Sequence, residues 1–436
     1  MNISITDQVI ISPEKRSFEV VERKGIGHPD SLSDLLADEF SRSYSNWALK
    51  NIGIIPNHWV DKVNIVGGSA KVQFGSYEMV KPINCYLFGK ITDIIGERYI
   101  NIMQLFEQVA QQLLLTITDS KSILDNMTFK IDNSKGVGVD HDQNFYSPNN
   151  VDNLKSILTQ ETLANDTAYC IGYYPFTFVE LLVIKLENYI NSNEFQKKYK
   201  EIGTDVKVLV SRLHNNIDIT TCIPFHPEQV PNISFYHSRL KEIKSDLTNK
   251  IENTIKQSGQ SYKFSLNINT KDGYNKAYLT PFGTCLGKGD CGVVGRGNKY
   301  NGLISAFRPS SVEAPAGKNP VHHAGKIYSS VAQGLAILLY NEIGIPNQVT
   351  IVSRNGCRLD TPAFVHVDYE TQLSNNLHNK SIEIIQVTLQ NVHEYAKFFL
   401  NTPSIERFRN GMEYDLNLAK NCISSTTDSQ EMLGNI

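Results

Sequence analysis

No two of the seven cysteines in this 436-residue chain have Cys-x-x-Cys spacing, and seven is an odd number. A disulfide framework and a structural zinc site are therefore disfavoured, and a reducing, cytoplasmic compartment is expected. No apolar run is long enough to span a bilayer. Met1 to Lys24 contains nothing like the apolar stretch of a signal peptide. A strong charge of one sign is also missing: 42 Lys and Arg stand against 45 Asp and Glu, a net charge of -3. Neither a nucleic-acid nor a membrane partner is expected, and any anion site must gather its cations locally.

What is present reads as a globular protein. Hydrophobic residues make up 41% of the chain and charged residues 20%, and the length exceeds one ordinary core. Val63–Val66 and Cys85–Phe88 read as buried strands. Ser31 to Leu49 reads as a helix with Leu32, Leu35, Leu36, Phe40, Tyr44 and Trp47 on one face. Ile100 to Leu115 is a second helix. Val206–Leu213 and Asp218–Pro224 form a hairpin through His214, Asn215 and Asn216. Leu240 to Ile255 and Ile327 to Leu339 carry helical spacing. Tyr262–Asn269, Ala277–Phe282, Gln348–Arg354 and Phe364–Tyr369 read as strands. Asp140 to Asn153 reads as a loop, and the polar end from Ser424 as frayed. Strand, strand, helix recurs about three times, which predicts an α+β fold with sheets covered by helices.

Two segments carry chemistry. Glu22 to Ser31 reads ERKGIGHPDS and stands just before the first helix. Asp30 or Ser31 is placed to cap that helix, with Asp34 in capping-box position. Gly25 and Gly27 permit close approach of a ligand to backbone, so a polyphosphate site competes here with a plain capped helix. The second segment, Gly283 to Lys326, holds nine glycines. From Lys288 onward it sets Lys288, Arg296, Lys299, Arg308, Lys318 and Lys326 against only Asp290 and Glu313, a local surplus of four positive charges. Flexible backbone, clustered cations and isolated carboxylates suit a magnesium polyphosphate. Gly287-x-Gly289-x-x-Gly292 is no dinucleotide fingerprint, because no helix pattern follows it. Gly317-Lys318 is no phosphate loop of the GxxxxGK[ST] kind, because Pro320 follows.

At these residues the chain resembles the archaeal-type branch of the S-adenosylmethionine synthetases. ERKGIGHPDS, VGGSAKVQFG at Val66–Gly75, and LANDTAYCIGYYP at Leu163–Pro175 are similar to that family's motifs. So are GDCGVVGRGNKYNGLI at Gly289–Ile304 and EAPAGKNPVHHAGKIY at Glu313–Tyr328. They keep the family's order from about residue 18 to about residue 370. The resemblance implies three similar subdomains of mixed sheet with interleaved segments, roughly 1–140, 141–270 and 271–436. It also implies ATP and methionine as substrates and Mg²⁺ and K⁺ as cofactors. The implied assembly is a homodimer, or a larger oligomer, with active sites between subunits. Carried over by motif, His28 would face the leaving O5′ and the phosphates, and Asp30 would bind Mg²⁺. Arg296 and Lys318 would hold the phosphate chain with Lys326, beside Gly289 and Gly317. Asp290 would meet methionine, with Gly68 and Asp61 nearby. Asp205, Lys207, Asn165 and Asp166 would serve the nucleotide. The chain departs from the family's pattern at Trp59, Val60 and Lys62, at Val137, and at Cys285 to Lys288. Those changes keep two alternatives open: an enzyme adenosylating another thioether, and a nucleotide-binding subunit without turnover.

Overall fold

The computed structural model describes residues 2–139, 143–158, 163–272 and 276–433. Three sheets dominate it, and each presents one face to a pair of helices. The N-terminal sheet runs Gly292–Val293, His58–Val66, Ile83–Ile91, Met127–Asn133. The central sheet runs Lys263–Ile268, Asn216–Cys222, Lys207–Leu213, Phe18–Lys24, Ile304–Ser305. The C-terminal sheet runs Asn2–Thr6, Phe364–Tyr369, Asn347–Val352, Tyr169–Tyr174. Burial alternates along the strands, as in Phe18–Lys24, so every second side chain enters a core.

One plan repeats. A helix leads into two antiparallel strands, and a second helix leads to a parallel edge strand. Pro29–Ile52 precedes His58–Val66 and Ile83–Ile91, and Ile102–Thr118 precedes Met127–Asn133. Phe178–Ile190 and Ile233–Ser258 do the same for the central sheet. Ala324–Ile343 and Asn375–Gln390 flank the third unit, whose parallel edge strand is the chain's own beginning, Asn2–Thr6. A strand upstream of each leading helix pairs in a different unit, while Ile304–Ser305, the one immediately before Ala324–Ile343, joins the central sheet. Phe18–Lys24 joins the central sheet, Tyr169–Tyr174 the C-terminal sheet, and Gly292–Val293 the N-terminal sheet. This cyclic exchange interleaves the three α+β units. It also places the segments just before the leading helices, which include both chemical motifs, at the junctions between units.

The helix Pro29–Ile52, here called the motif helix, buries Leu32, Leu35, Leu36, Phe40 and Tyr44 in the N-terminal core. It ends at Gly53, whose φ of 82° closes the last turn onto the Ala48 and Leu49 carbonyls.

Several expectations change. Ala277–Phe282 is not a strand of any sheet: Leu279 makes an isolated bridge to Phe225, and the chain then turns at Pro281–Gly283 with Phe282 at φ 61°. Proline lacks the donor a ladder needs, and Gly283 tolerates the turn. The hairpin turn is also tighter than expected, because Leu213 already pairs with Asn216. Of the expected loop, 140–142 lie outside the described residues, and a helix begins at Val151. The polar end belongs to a helix, Ser404–Leu433, and 434–436 lie outside the described residues. Among the described residues no helix is long and apolar enough to cross a membrane.

Candidate active site

The first motif is a tight loop between Phe18–Lys24 and the motif helix. The Gly25 and Gly27 N–H groups donate to the Val206 and Thr204 carbonyls at 2.6 and 3.1 Å. His28, rather than Asp30 or Ser31, caps the helix, and Pro29 opens it. Proline's fixed φ and missing N–H suit the first helical position, which moves the cap back by one residue. The His28 Nδ1 accepts the Asp30 N–H at 3.2 Å. An accepting Nδ1 leaves the proton of the neutral ring on Nε2. Burial, and then the ammonium groups of Lys24 and Lys207, push the ring's pKa down to about 4 against the pull of Asp30. His28 is therefore neutral at physiological pH.

Asp30 ties this loop to the glycine-rich segment. One carboxylate oxygen accepts from Lys24 at 2.9 Å and the other from the Val293 N–H at 3.1 Å. Lys24 also donates to the Arg296 carbonyl at 2.6 Å. Where the segment crosses the helix start, a Cβ on Gly292 would lie 2.0 Å from the Pro29 carbonyl oxygen, so only glycine fits. One turn further, Asp34 accepts the Gly295 N–H at 2.8 Å, and burial pushes its carboxyl up to about 7. The Arg296 residue is exposed on this anchored backbone.

Asp290 is exposed at the other end of the same loop. Gly68 donates to the Leu286 carbonyl at 2.8 Å. A Cβ on Gly67 would lie 2.3 Å from the Asp290 carbonyl oxygen. Beneath the loop, buried Asp205 accepts the Cys285 N–H at 2.8 Å, and burial pushes its carboxyl up to about 7. Lys207 pairs with Glu22 at 3.1 Å. His28, Asp30, Asp205, Lys207, Gly68, Gly289, Asp290 and Arg296 thus form one group around the interlocked loops.

Gly317, Lys318, Lys326, Asp61, Asn165 and Asp166 fall in a second group. The Lys318 side chain is 3% exposed, reaches the Asp61 carboxylate at 3.1 Å and lies 5.1 Å from the Trp59 ring centre. Burial lowers the Lys318 pKa. Burial opposes ionisation of Asp61, but hydrogen bonds from Lys62 and Lys318 outweigh it and hold that carboxyl below its usual range. Lys326 is buried, pairs with Asp38 and donates to the Lys318 carbonyl at 3.0 Å. Gly317 donates to Asp38 at 3.4 Å. Asn165 accepts the Ala324 N–H at 3.3 Å, and Asp166 accepts the Thr167 N–H at 2.7 Å.

Sequence reasoning passed over several residues here. His58 is buried against Ser41, at 2.9 Å, with its pKa pushed down to about 3 by burial. Among the described residues, buried His323 has no partner on either ring nitrogen and Trp59 has none on its indole N–H. Their rings meet edge-on at 5.1 Å. Buried polar atoms without partners are costly unless something else satisfies them, so these two are candidates to meet a ligand. The signal in the sequence was the His322-His323 pair between Lys318 and the next helix.

The two groups stand apart within one chain. Asp38 lies ten residues along the motif helix from His28, roughly 15 Å at about 1.5 Å per residue. A cavity of ≈ 340 Å³ opens between the motif helix, residues 295–302 and the C-terminal helices, but Lys326 is the one predicted site residue on its wall.

Residues 1–402 match the family model described as S-adenosylmethionine synthetase (AdoMet synthetase). The S-adenosylmethionine synthase of Saccharolobus islandicus (strain Y.N.15.51 / Yellowstone #2) is 32% identical over 407 residues, covering 92% of this chain and 98% of the relative. That of Pyrobaculum neutrophilum is 34% identical over 401 residues, covering 88% and 95%. Among solved structures, an unusual S-adenosylmethionine synthetase from Campylobacter jejuni aligns with a TM-score of 0.52 at 15% identity, over 92% of this chain and 99% of that one. That last likeness is one of fold.

Proposed function

Because the chain belongs to the archaeal-type S-adenosylmethionine synthetase family, we propose that it makes S-adenosylmethionine from ATP, methionine and water, releasing pyrophosphate and phosphate. The observation that carries this reading is the junction of the two motifs. Lys24 bridges Asp30 and the Arg296 backbone, which gathers a neutral imidazole, a carboxylate and an exposed arginine around one loop.

The chemistry asks for little else. A thioether sulfur needs no general base to attack C5′. The barrier lies in aligning sulfur, carbon and leaving oxygen, and in stabilising a departing tripolyphosphate. His28 offers its Nε2–H to the O5′ as charge develops there. Arg296 and Lys318 hold the phosphate chain through departure and through its later hydrolysis. Asp205 shapes the loop carrying Asp290, which receives the methionine ammonium.

Among the described residues no group of three or more His, Cys, Asp or Glu side chains forms a metal cage. Asp30 is a single carboxylate, which fits an Mg²⁺ carried in with the phosphates, since Mg²⁺ takes one or two carboxylates plus phosphate oxygens and water. When bound there, the metal would supply Lewis-acid charge to the polyphosphate. About 15 Å of the motif helix separates His28 from Asp38, the carboxylate that anchors the Lys318 loop through Gly317 and Lys326. That separation supports a homodimer in which each site takes the first group from one subunit and the second from the other.

Incubation with ATP, Mg²⁺ and methionine, followed by mass spectrometry, tests the proposal. S-adenosylmethionine is the expected product. Product only from a different thioether would instead assign the enzyme to a paralogous reaction, for which the Trp59 substitution beside Lys318 is the structural motive. ATP binding without any product would leave a nucleotide-binding subunit.

A further inference from the structure

The helix Ser404–Leu433 begins just past residue 402, where the family match ends. It is nevertheless built into the site's foundations. Ser404 donates its N–H to Glu39 at 2.9 Å. Arg407 forms an ion pair with Asp38, the same carboxylate that holds Lys326. Arg23 donates to the Phe408 carbonyl at 3.1 Å and lies 4.6 Å from that ring's centre. After a break at Asn410, Asp415 accepts from Tyr300 at 2.9 Å and Ser330 at 3.1 Å. Leu418, Ala419 and Cys422 then pack into the C-terminal core.

We propose that Arg407 is a positioning residue for Lys318, acting through Asp38 and Lys326. The chain of contacts is short. Arg407 takes one oxygen of Asp38 and Lys326 takes the other. Gly317 donates to Asp38, and Lys326 and Ser41 donate to the Lys318 carbonyl at 3.0 and 3.1 Å. Asp38 is hydrogen-bonded by Lys326 through one oxygen and ion-paired with Arg407 through the other, and two opposed cations hold the carboxylate and so fix where the Lys326 ammonium stands. Lys326 in turn sets the backbone from which Lys318 reaches outward. With Arg407 removed, one oxygen of a buried carboxylate loses its partner, and the carboxylate turns to share Lys326 across both oxygens. The Lys318 loop then loses its register.

This inference rests on the reading of Lys318 as a phosphate ligand, and the experiment separates the two. The probe is imidotriphosphate, a triphosphate with non-hydrolysable NH bridges, titrated calorimetrically with Mg²⁺ into the full chain. Arg407→Ala should weaken binding about tenfold, as loss of a supporting partner does elsewhere. It should raise the KM for ATP similarly and leave the KM for methionine within about twofold. Arg407→Lys, which keeps a cation on Asp38, should recover most of the affinity. Leu418→Ala removes packing from the same helix without touching Asp38, so it should lower the melting temperature yet bind the probe as the unaltered chain does. Equal binding by Arg407→Ala and the unaltered chain overturns the inference alone, and so does an equal loss in Leu418→Ala. An unaltered chain that fails to bind the probe overturns the reading of the phosphate site, and the inference with it.

Discussion

The structure makes a specific statement about the protonation state of His28. Its Nδ1 is occupied as an acceptor by the Asp30 N–H at 3.2 Å. Its pKa is pushed down to about 4 by burial, Lys24 and Lys207. At pH 7 that leaves about one ring in a thousand protonated, and protonating it costs about 4 kcal/mol, at roughly 1.4 kcal/mol per pH unit. On the proposed mechanism the active form is therefore the neutral imidazole donating from Nε2. Asparagine at this position keeps a side-chain oxygen for the helix cap, so the fold is retained. It is too short to place a donor where Nε2 stands.

The expected result has two parts. His28→Asn should lower the rate of S-adenosylmethionine formation by about 10²–10³, the usual cost of one lost oxyanion donor. Hydrolysis of added tripolyphosphate should be largely preserved, because the former O5′ is by then a terminal phosphate oxygen. The second part concerns pH. The value of kcat/KM for ATP reports the free enzyme, and dividing the unaltered chain's value by the variant's cancels the substrate's own ionisation. That quotient should be flat from about pH 5.5 to about 8, because a ring with a depressed pKa has no proton to lose in this window. A quotient falling steadily as pH rises through about 6.5 would show that the imidazolium is the active form and refute the argument. A proportional loss of both activities would make His28 a general phosphate ligand.

The sequence announced the three-unit plan because each unit carries its own run of strand, strand and helix, and periodicity is local. Interleaving was implied only by the family resemblance, and periodicity did not announce the cyclic exchange of leading strands. Nothing in the alternation of Phe18–Lys24 says which sheet it will join, because a strand's pattern records a buried face and not the neighbour beside it. The cap at His28 could have been read, since His-Pro-Asp puts proline where helices favour it. Asp38 is the instructive miss. Asp30, Asp34 and Asp38 recur every four residues on the motif helix, and like charges at that spacing repel. Such a stripe in a helix that also buries a core face points to distant partners. They are Lys24 and Val293 for Asp30, Gly295 for Asp34, and Lys326 and Arg407 for Asp38. A separation of 288 residues between Asp38 and Lys326 is beyond any local pattern.

Three further outcomes are expected. Lys318→Met should lose both synthesis and tripolyphosphate hydrolysis by about 10²–10³, since on the proposed mechanism its charge serves both stages; unchanged hydrolysis would place Lys318 outside the phosphate site. Activity should vanish in EDTA and return with excess Mg²⁺, because Asp30 alone offers too few ligands to retain a metal; full turnover in EDTA would end the metal assignment. The last concerns Asp205, whose buried carboxyl is raised to about 7 beneath the loop that carries Asp290. Between the ordinary carboxyl range and pH 7 the folded chain keeps this proton and the unfolded chain releases it. Stability contributed by the protonated form is thus full below about pH 4 and is lost as pH rises to about 7, by roughly 4 kcal/mol in total. Asparagine cannot ionise, yet its side-chain oxygen can still accept the Cys285 N–H. The stability of Asp205→Asn relative to the unaltered chain, measured by urea unfolding, should therefore improve steadily from pH 4 to pH 7 and level off above. Subtracting the two curves removes the buried histidines, which titrate identically in both proteins. A difference that stays constant across that range would mean that Asp205 is ionised in the folded state, held by the Cys285 N–H strongly enough to overcome its burial.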